Sequence, residues 1–86
     1  MRLDKFLSAA RIFKSRTLAA EAVSASMVFV DGLAAKSSRE IRIGSIIEID
    51  TVSFYKKLEI IAIPPKNFPK SQAHTVYKIL QERLKP

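Results

Sequence analysis

The sequence predicts an α+β domain: two short N-terminal helices packed on a small, strongly curved antiparallel sheet, with a further helix at the C-terminal end. Three observations carry this reading. Leu3, Phe6, Leu7 and Ala10 recur at i, i+3, i+4 and i+7, the spacing of one helical face. Leu18, Ala19, Ala22 and Val23 form a second such stripe soon afterwards. Val28-Phe29-Val30 then alternates into Asp31-Gly32, a strong hairpin-turn signal.

The first helix is expected over residues 2–10, with Arg2, Lys5 and Ser8 turned to solvent. Arg11 to Lys14 form a short connection. Ser15 is placed to cap a second helix that runs to about Ser24 or Ala25, by accepting a hydrogen bond from an otherwise unpaired amide. Arg16 falls in its first turn. The helix dipole is unfavourable to a cation there, unless an anion binds at that end. After Val28–Val30 and the Asp31-Gly32 turn, Leu33 to Lys36 read as the return strand and Lys36-Ser37-Ser38-Arg39 as a polar loop. Gly44-Ser45 marks a turn before Ile46-Ile47-Glu48-Ile49, Tyr55-Lys56-Lys57 a turn into a last, largely buried strand over residues 58–63. Pro64-Pro65 ends the sheet. Lys66 to Lys70 form a basic linker, and Ser71 opens a C-terminal helix with Ala73, Val76, Tyr77, Leu80 and Leu84 on one stripe. The expected organisation is a domain over 1–63 followed by the linker and helix over 64–86, packed on the domain or extending from it.

With 86 residues the chain makes one small domain. Such a domain buries only about 60–65% of the surface its unfolded chain exposes, which leaves little for a deep active site. The composition, 48% hydrophobic and 27% charged, is too apolar for disorder. The absence of cysteine excludes disulfides, thiolate nucleophiles and cysteine-ligated zinc. No apolar run approaches the ~18–20 residues a membrane span needs, and no apolar signal segment follows Arg2, Asp4 and Lys5. The expected compartment is the cytoplasm, with no membrane partner.

The net charge is +7 and the isoelectric point about 10.1. Its distribution is uneven. Residues 1–20 carry +4, residues 21–54 carry −2 and residues 55–86 carry +5. Arg2, Lys5, Arg11, Lys14 and Arg16 lie within fifteen residues, opposed only by Asp4. Cations so crowded repel one another unless a polyanion neutralises them, and the planar guanidinium suits phosphate. Asp4, in the first turn of a helix, reads as a structural carboxylate able to orient a neighbouring arginine, with a lowered pKa in its basic field. The Asp31-Gly32 tip exposes backbone to an approaching phosphate, and with Lys36 and Ser37 would form the second wall of an RNA groove. Phe29 and Phe54 are candidates for base stacking, or equally for packing. Lys56, Lys57, Lys66 and Lys70 form a looser cationic set. His74, the only histidine, has no ligand partner at metal-binding spacing, the serines lack a base, and there is no glycine-rich phosphate loop. These features argue against an enzyme, a metal site or a cofactor.

Arg2-Leu3-Asp4-Lys5-Phe6-Leu7, Arg11, Lys14-Ser15-Arg16-Thr17-Leu18-Ala19, Val28-Phe29-Val30-Asp31-Gly32, Lys36-Ser37 and Gly44-Ser45-Ile46-Ile47-Glu48-Ile49 occur in this order. Together they resemble the RNA-binding domain named for small-subunit ribosomal protein four, over residues 1 to about 50. Ser71-Gln72-Ala73-His74-Thr75-Val76-Tyr77-Lys78-Ile79-Leu80 extends the likeness to the stand-alone RqcP and heat-shock-fifteen branch. The resemblance implies the fold called the αL motif. It implies attachment to a large ribosomal subunit still carrying peptidyl-tRNA, through an rRNA stem-loop and the tRNA, with a possible tRNA-recruiting quality-control partner. By motif position, Arg2 and Arg16 would lead the rRNA contacts and Lys5, Arg11 and Lys14 support them. The chain departs from the family pattern at Ser26, usually Gly, at Asp31, usually Asn, and at Ser45, usually Asp. A positive φ at Ser26 would cost up to roughly 1–2 kcal/mol.

The expected function is therefore non-catalytic RNA binding on the large ribosomal subunit by a monomer. Two alternatives are an adaptor that docks a protein through its Val76-Tyr77-Leu80 helix, and a factor for another structured RNA. An RNA-modifying enzyme would need a second domain for which these residues leave no room, and no helix reads as a DNA major-groove reader.

Overall fold

Apolar spacing near the N-terminus produces a two-helix layer. In the computed structural model, which describes residues 1–86, α1 covers Leu3–Ala9 and buries Leu3, Phe6 and Leu7. Helix α2 covers Arg16–Ser24. The Ser15 hydroxyl caps it, accepting a hydrogen bond from the Leu18 amide at 3.1 Å. Its buried face is Ala19, Ala22 and Val23, and these small side chains let the helices pack closely. Leu18, expected on that face, is 44% exposed. The buried stripe of this two-turn helix is narrow, and Leu18 lies at its margin.

Both helices end in the same way. The Ile12 amide donates to the Leu7 carbonyl and the Arg11 amide to that of Ser8, at 3.1 and 3.0 Å. The Met27 amide donates to the Ala22 carbonyl and the Ser26 amide to that of Val23, again at 3.1 and 3.0 Å. This paired bonding is the Schellman motif, which needs a left-handed residue just past the helix end. Arg11, at φ 58°, and Ser26, at φ 61°, fill those positions, although neither is glycine.

The sheet has five antiparallel strands: β1 (Val28–Val30), β2 (Leu33–Ala34), β3 (Ile46–Asp50), β4 (Phe54–Ile60) and β5 (Tyr77–Leu84), in the order β2-β1-β3-β4-β5. Strand alternation sends Val28, Val30, Ile47, Ile49, Leu58 and Ile60 to the helix-covered face, where all are buried with Leu3, Phe6 and Leu7 in one core. The register pairs these residues across strands, Val30 with Ile47 and Ile47 with Leu58. Asp31 and Gly32 have φ of 52° and 83°, the two positive values a type I′ turn requires.

Three expectations need correction. The return strand stops at Ala34 rather than Lys36. Tyr55, Lys56 and Lys57 are strand, not turn. The turn lies earlier, where the Thr51 hydroxyl accepts hydrogen bonds from the Ser53 and Phe54 amides at 3.2 and 3.0 Å; β4 ends at Ile60, so Ile61–Ile63 lie outside it. The C-terminal helical segment is present only as a 3-10 helix over Lys70–Val76, which buries Ala73 and Val76. From Tyr77 the chain runs as β5 along the edge of β4, with Tyr77 opposite Ile60 and Ile79 opposite Leu58. A register shift then passes over Leu80, and Gln81 pairs with Lys57.

Ser26 is exposed and its side chain makes no hydrogen bond, so it receives nothing in return for its left-handed conformation. Ser26→Gly is expected to raise stability by about 1 kcal/mol, which thermal unfolding would read as a rise in Tm of about 4–8 °C. An unchanged or lowered Tm would contradict this account of the helix exit.

Candidate nucleic-acid interface

The first two helices start side by side, and one carboxylate joins them. Asp4 is buried in the first turn of α1. Its Oδ1 accepts hydrogen bonds from the Lys5 amide at 2.8 Å and from Arg2 Nε at 3.2 Å, and its Oδ2 accepts from Arg2 Nη2 at 3.2 Å. Arg16 Nε lies 3.3 Å from the same Oδ2. Two guanidinium groups from different helices are thus gathered on one carboxylate. Burial pushes the Asp4 carboxyl upward, but Arg16, the Lys5 amide and Arg2 outweigh it and hold its pKa below the usual aspartate value. The anion that makes Arg16 tenable at the start of α2 is, within the chain, Asp4.

These ion pairs do not use up the arginines. The Arg2 and Arg16 side chains remain 47% and 51% exposed. Two positive charges meet one negative charge, and the Nη groups of Arg16 make no hydrogen bond within the chain. The buried carboxylate therefore acts as an anchor that aims two forked donors at solvent with a net positive charge.

The segment after β2 forms the adjoining wall. Lys36–Arg39 is a turn closed by the Arg39 amide donating to the Lys36 carbonyl at 3.0 Å. It lies against the start of α1, where the Leu3 amide donates to the Arg39 carbonyl at 2.8 Å and the Asp4 amide to the Ser37 carbonyl at 3.2 Å. Arg2 pairs with Glu40 in an isolated antiparallel bridge. Ser37 thereby meets Asp4 directly, while Lys36 is exposed on the same turn.

The remaining expected site residues take separate positions. Lys5 is exposed on α1, one residue past the clamp. Arg11 and Lys14 stand together in the link between the helices, with Arg11 Nη1 donating to the Lys14 carbonyl at 3.0 Å. Asp31 and Gly32 form the exposed hairpin tip. The Asp31 carboxylate is engaged within the chain, however: Oδ1 accepts from the Ile46 amide at 2.9 Å and Oδ2 lies 3.9 Å from Arg39 Nη2. Arg39 is the residue that sequence reasoning passed over. In the sequence it is one residue of a polar loop in an acidic stretch, and only the backbone pairing of that loop with α1 reveals its place.

Phe29 is half-buried on the sheet face opposite the core, across from Glu48. Phe54 packs at the edge of the core. Tyr55 donates to Glu48 at 2.6 Å, and the Arg83 guanidinium stacks 4.6 Å from its ring centroid. Hydrogen bonding to the Glu48 carboxylate, with burial, raises the Tyr55 pKa. There is no enclosed cavity, and no group of three His, Cys, Asp or Glu side chains converges as a metal site. No helix is long and apolar enough to cross a membrane. The geometry is that of an open, rigid, cationic surface.

Residues 1–47 match the S4 domain model, and the chain belongs to the S4-domain family. It is similar to the RQC P-site tRNA stabilizing factor of Bacillus subtilis, with 36% identity over 84 residues covering 95% of this chain and 94% of that one. The protein of the same name from Helicobacter pylori strain J99 is 33% identical over 75 residues, covering 86% of this chain and 89% of its relative. Among solved structures, the trimeric heat shock protein 15 of Vibrio cholerae superposes with a TM-score of 0.83 at 33% identity, covering 92% of this chain and 80% of that one. Each of these likenesses covers more of the chain than the matched domain.

The lowered Asp4 pKa sets the sign of its pH dependence. The stabilisation is fully present above the unfolded value of about 3.9 and is lost as pH falls through the lower folded value. Asp4→Asn is expected to cost about 1–3 kcal/mol at pH 7 and progressively less below pH ~4. Urea unfolding at pH 7 and pH 3 checks this; an equal cost at both would show that the charge of Asp4 is not what holds the helix starts together.

Proposed function

We propose that this chain is a non-catalytic RNA-binding protein of ribosome quality control. It grips structured RNA, an rRNA stem-loop and the neighbouring tRNA, on large ribosomal subunits still carrying peptidyl-tRNA. The observation that carries this reading is the pair of half-exposed guanidiniums from α1 and α2 held on the buried Asp4 carboxylate. A rigid pair of forked donors meets two backbone phosphates with little entropy to lose, and the release of their counterions supplies affinity. Selectivity then comes from the shape of the RNA, since no element here is placed to read base edges in a deep groove. The match to the S4 domain and the names of the relatives support the same reading. Lys5, Arg11, Lys14, Lys36 and Ser37 extend the contact to either side of the clamp.

A protein-docking adaptor has less support. The residues proposed to dock do not form a helical face: Val76 is buried in this chain's own core, and Tyr77 and Leu80 belong to β5.

Arg2→Ala and Arg16→Ala are each expected to weaken binding to large subunits about tenfold, the loss of one charge-assisted contact. Either variant leaves Asp4 a guanidinium and the Lys5 amide, so the fold persists. Sedimentation with purified large subunits over a potassium chloride series reads the result. Both variants co-migrating like the parent, or co-migration that survives high salt, would favour a protein contact over a phosphate contact.

A further inference from the structure

Asp31 and Arg39 form the other carboxylate–guanidinium pair beside this surface, and it is built differently from the Asp4 clamp. Asp4 is buried and takes its arginines at hydrogen-bonding distance. The Asp31 carboxylate is half exposed, and Arg39 stands off at 3.9 Å with its own side chain 40% exposed. At that separation there is attraction without a hydrogen bond, so the Arg39 donors are unsatisfied on that side. Asp31 cannot follow Arg39 outward, because its Oδ1 is engaged by the Ile46 amide and its backbone is fixed in the hairpin turn. The Arg39 backbone is equally fixed, by the Leu3 amide on its carbonyl and by its own amide on Lys36. What is left free between two anchored backbones is the guanidinium.

We propose that Arg39 is a phosphate-contacting residue of the RNA surface and that Asp31 restrains it, weakening RNA binding until a phosphate displaces the carboxylate. Arg39 joins the clamp side of the surface, through Leu3, to the hairpin tip, through Asp31. A phosphate arriving between them offers the guanidinium the two short, charge-assisted hydrogen bonds that Asp31 does not. Asp31 then serves as a brake and not as an RNA contact, because its charge repels the phosphate that Arg39 attracts. This inference rests on the RNA-binding reading and adds to it a contact residue and a residue that sets the affinity.

The substitutions separate these roles. Asp31→Asn keeps an oxygen for the Ile46 amide and a residue that tolerates positive φ, while removing the charge. Asp50→Asn makes the same charge change at the far end of β3, where Asp50 pairs with Lys85. The probe is fluorescently labelled deacylated tRNA, with binding read by anisotropy over a potassium chloride series and folding checked by thermal melts. Arg39→Ala is expected to bind about tenfold more weakly and to lower the slope of log affinity against log salt by about 1. Arg39→Lys is expected to restore the slope but only part of the affinity. Asp31→Asn is expected to bind several-fold tighter, a gain absent when Arg39→Ala is also present and absent in Asp50→Asn. Parental affinity and slope in Arg39→Ala would overturn the contact. Equal gains in Asp31→Asn and Asp50→Asn would overturn the restraint, leaving only net charge. If the parent chain binds neither this tRNA nor large subunits at low salt, the RNA-binding reading itself falls and this inference with it.

Discussion

The sharing of the Asp4 carboxylate by Arg2, Arg16 and the Lys5 amide is the interaction on which the surface depends. It links the start of α1 to the start of α2. Each helix alone is too short to hold its direction in water. Their packing through Leu3, Phe6, Leu7, Ala19, Ala22 and Val23 sets the spacing of the pair, but apolar contacts are not directional. The carboxylate adds the direction. It also resolves an electrostatic conflict, since two arginines this close would otherwise repel and Arg16 would face the positive end of its own helix.

How much of this was legible in the sequence follows from which interactions are local. The helices and the Asp31-Gly32 hairpin rest on short-range periodicity and turn chemistry, and they lie where those signals put them. The Arg2 and Arg16 positions were legible as charge in a suggestive order. Their convergence on Asp4 needed only the expectation that two consecutive helices pack side by side. Arg39 was not legible, because its place depends on backbone pairing between residues 36–40 and the first turn of α1. The turn before β4 was missed because the Thr51 hydroxyl builds it, without glycine, proline or asparagine.

The C-terminal segment shows a different kind of failure. Val76, Tyr77, Leu80 and Leu84 carry helix-like spacing, yet Tyr77 to Leu84 form a strand. The irregularity at Leu80 explains the disguise. One unpaired residue shifts the alternation by a position, so a period of two no longer runs through the whole strand. Long-range pairing decides the outcome, because without β5 the β4 edge would present unpaired amides and carbonyls along its length. Tyr77 and Ile79 meet the buried Ile60 and Leu58, which ties this segment to the same core that positions α1 and α2.

The same pairing alters the electrostatic picture. By composition the C-terminal third carries as much positive charge as the N-terminal twenty residues. In the fold, β5 brings Glu82 to 3.2 Å from Lys56, sets Lys85 on Asp50, and stacks Arg83 on Tyr55. Three of its seven cations are thus engaged along the β4–β5 edge, while Lys66, Lys70 and Lys78 stay exposed without an ion-pair partner. At the N-terminal surface Arg2 and Arg16 share a single carboxylate, and Lys5, Lys14 and Lys36 are exposed without an ion-pair partner. Excess charge that the fold does not consume is what remains to attract a polyanion. At the N-terminal surface it lies where two helix starts and one turn meet, on backbone held by hydrogen bonds between them. Of these donors, the two arginines on Asp4 cannot rearrange without giving up the interactions that join the helix starts, so their spacing is the part of the surface that the fold fixes.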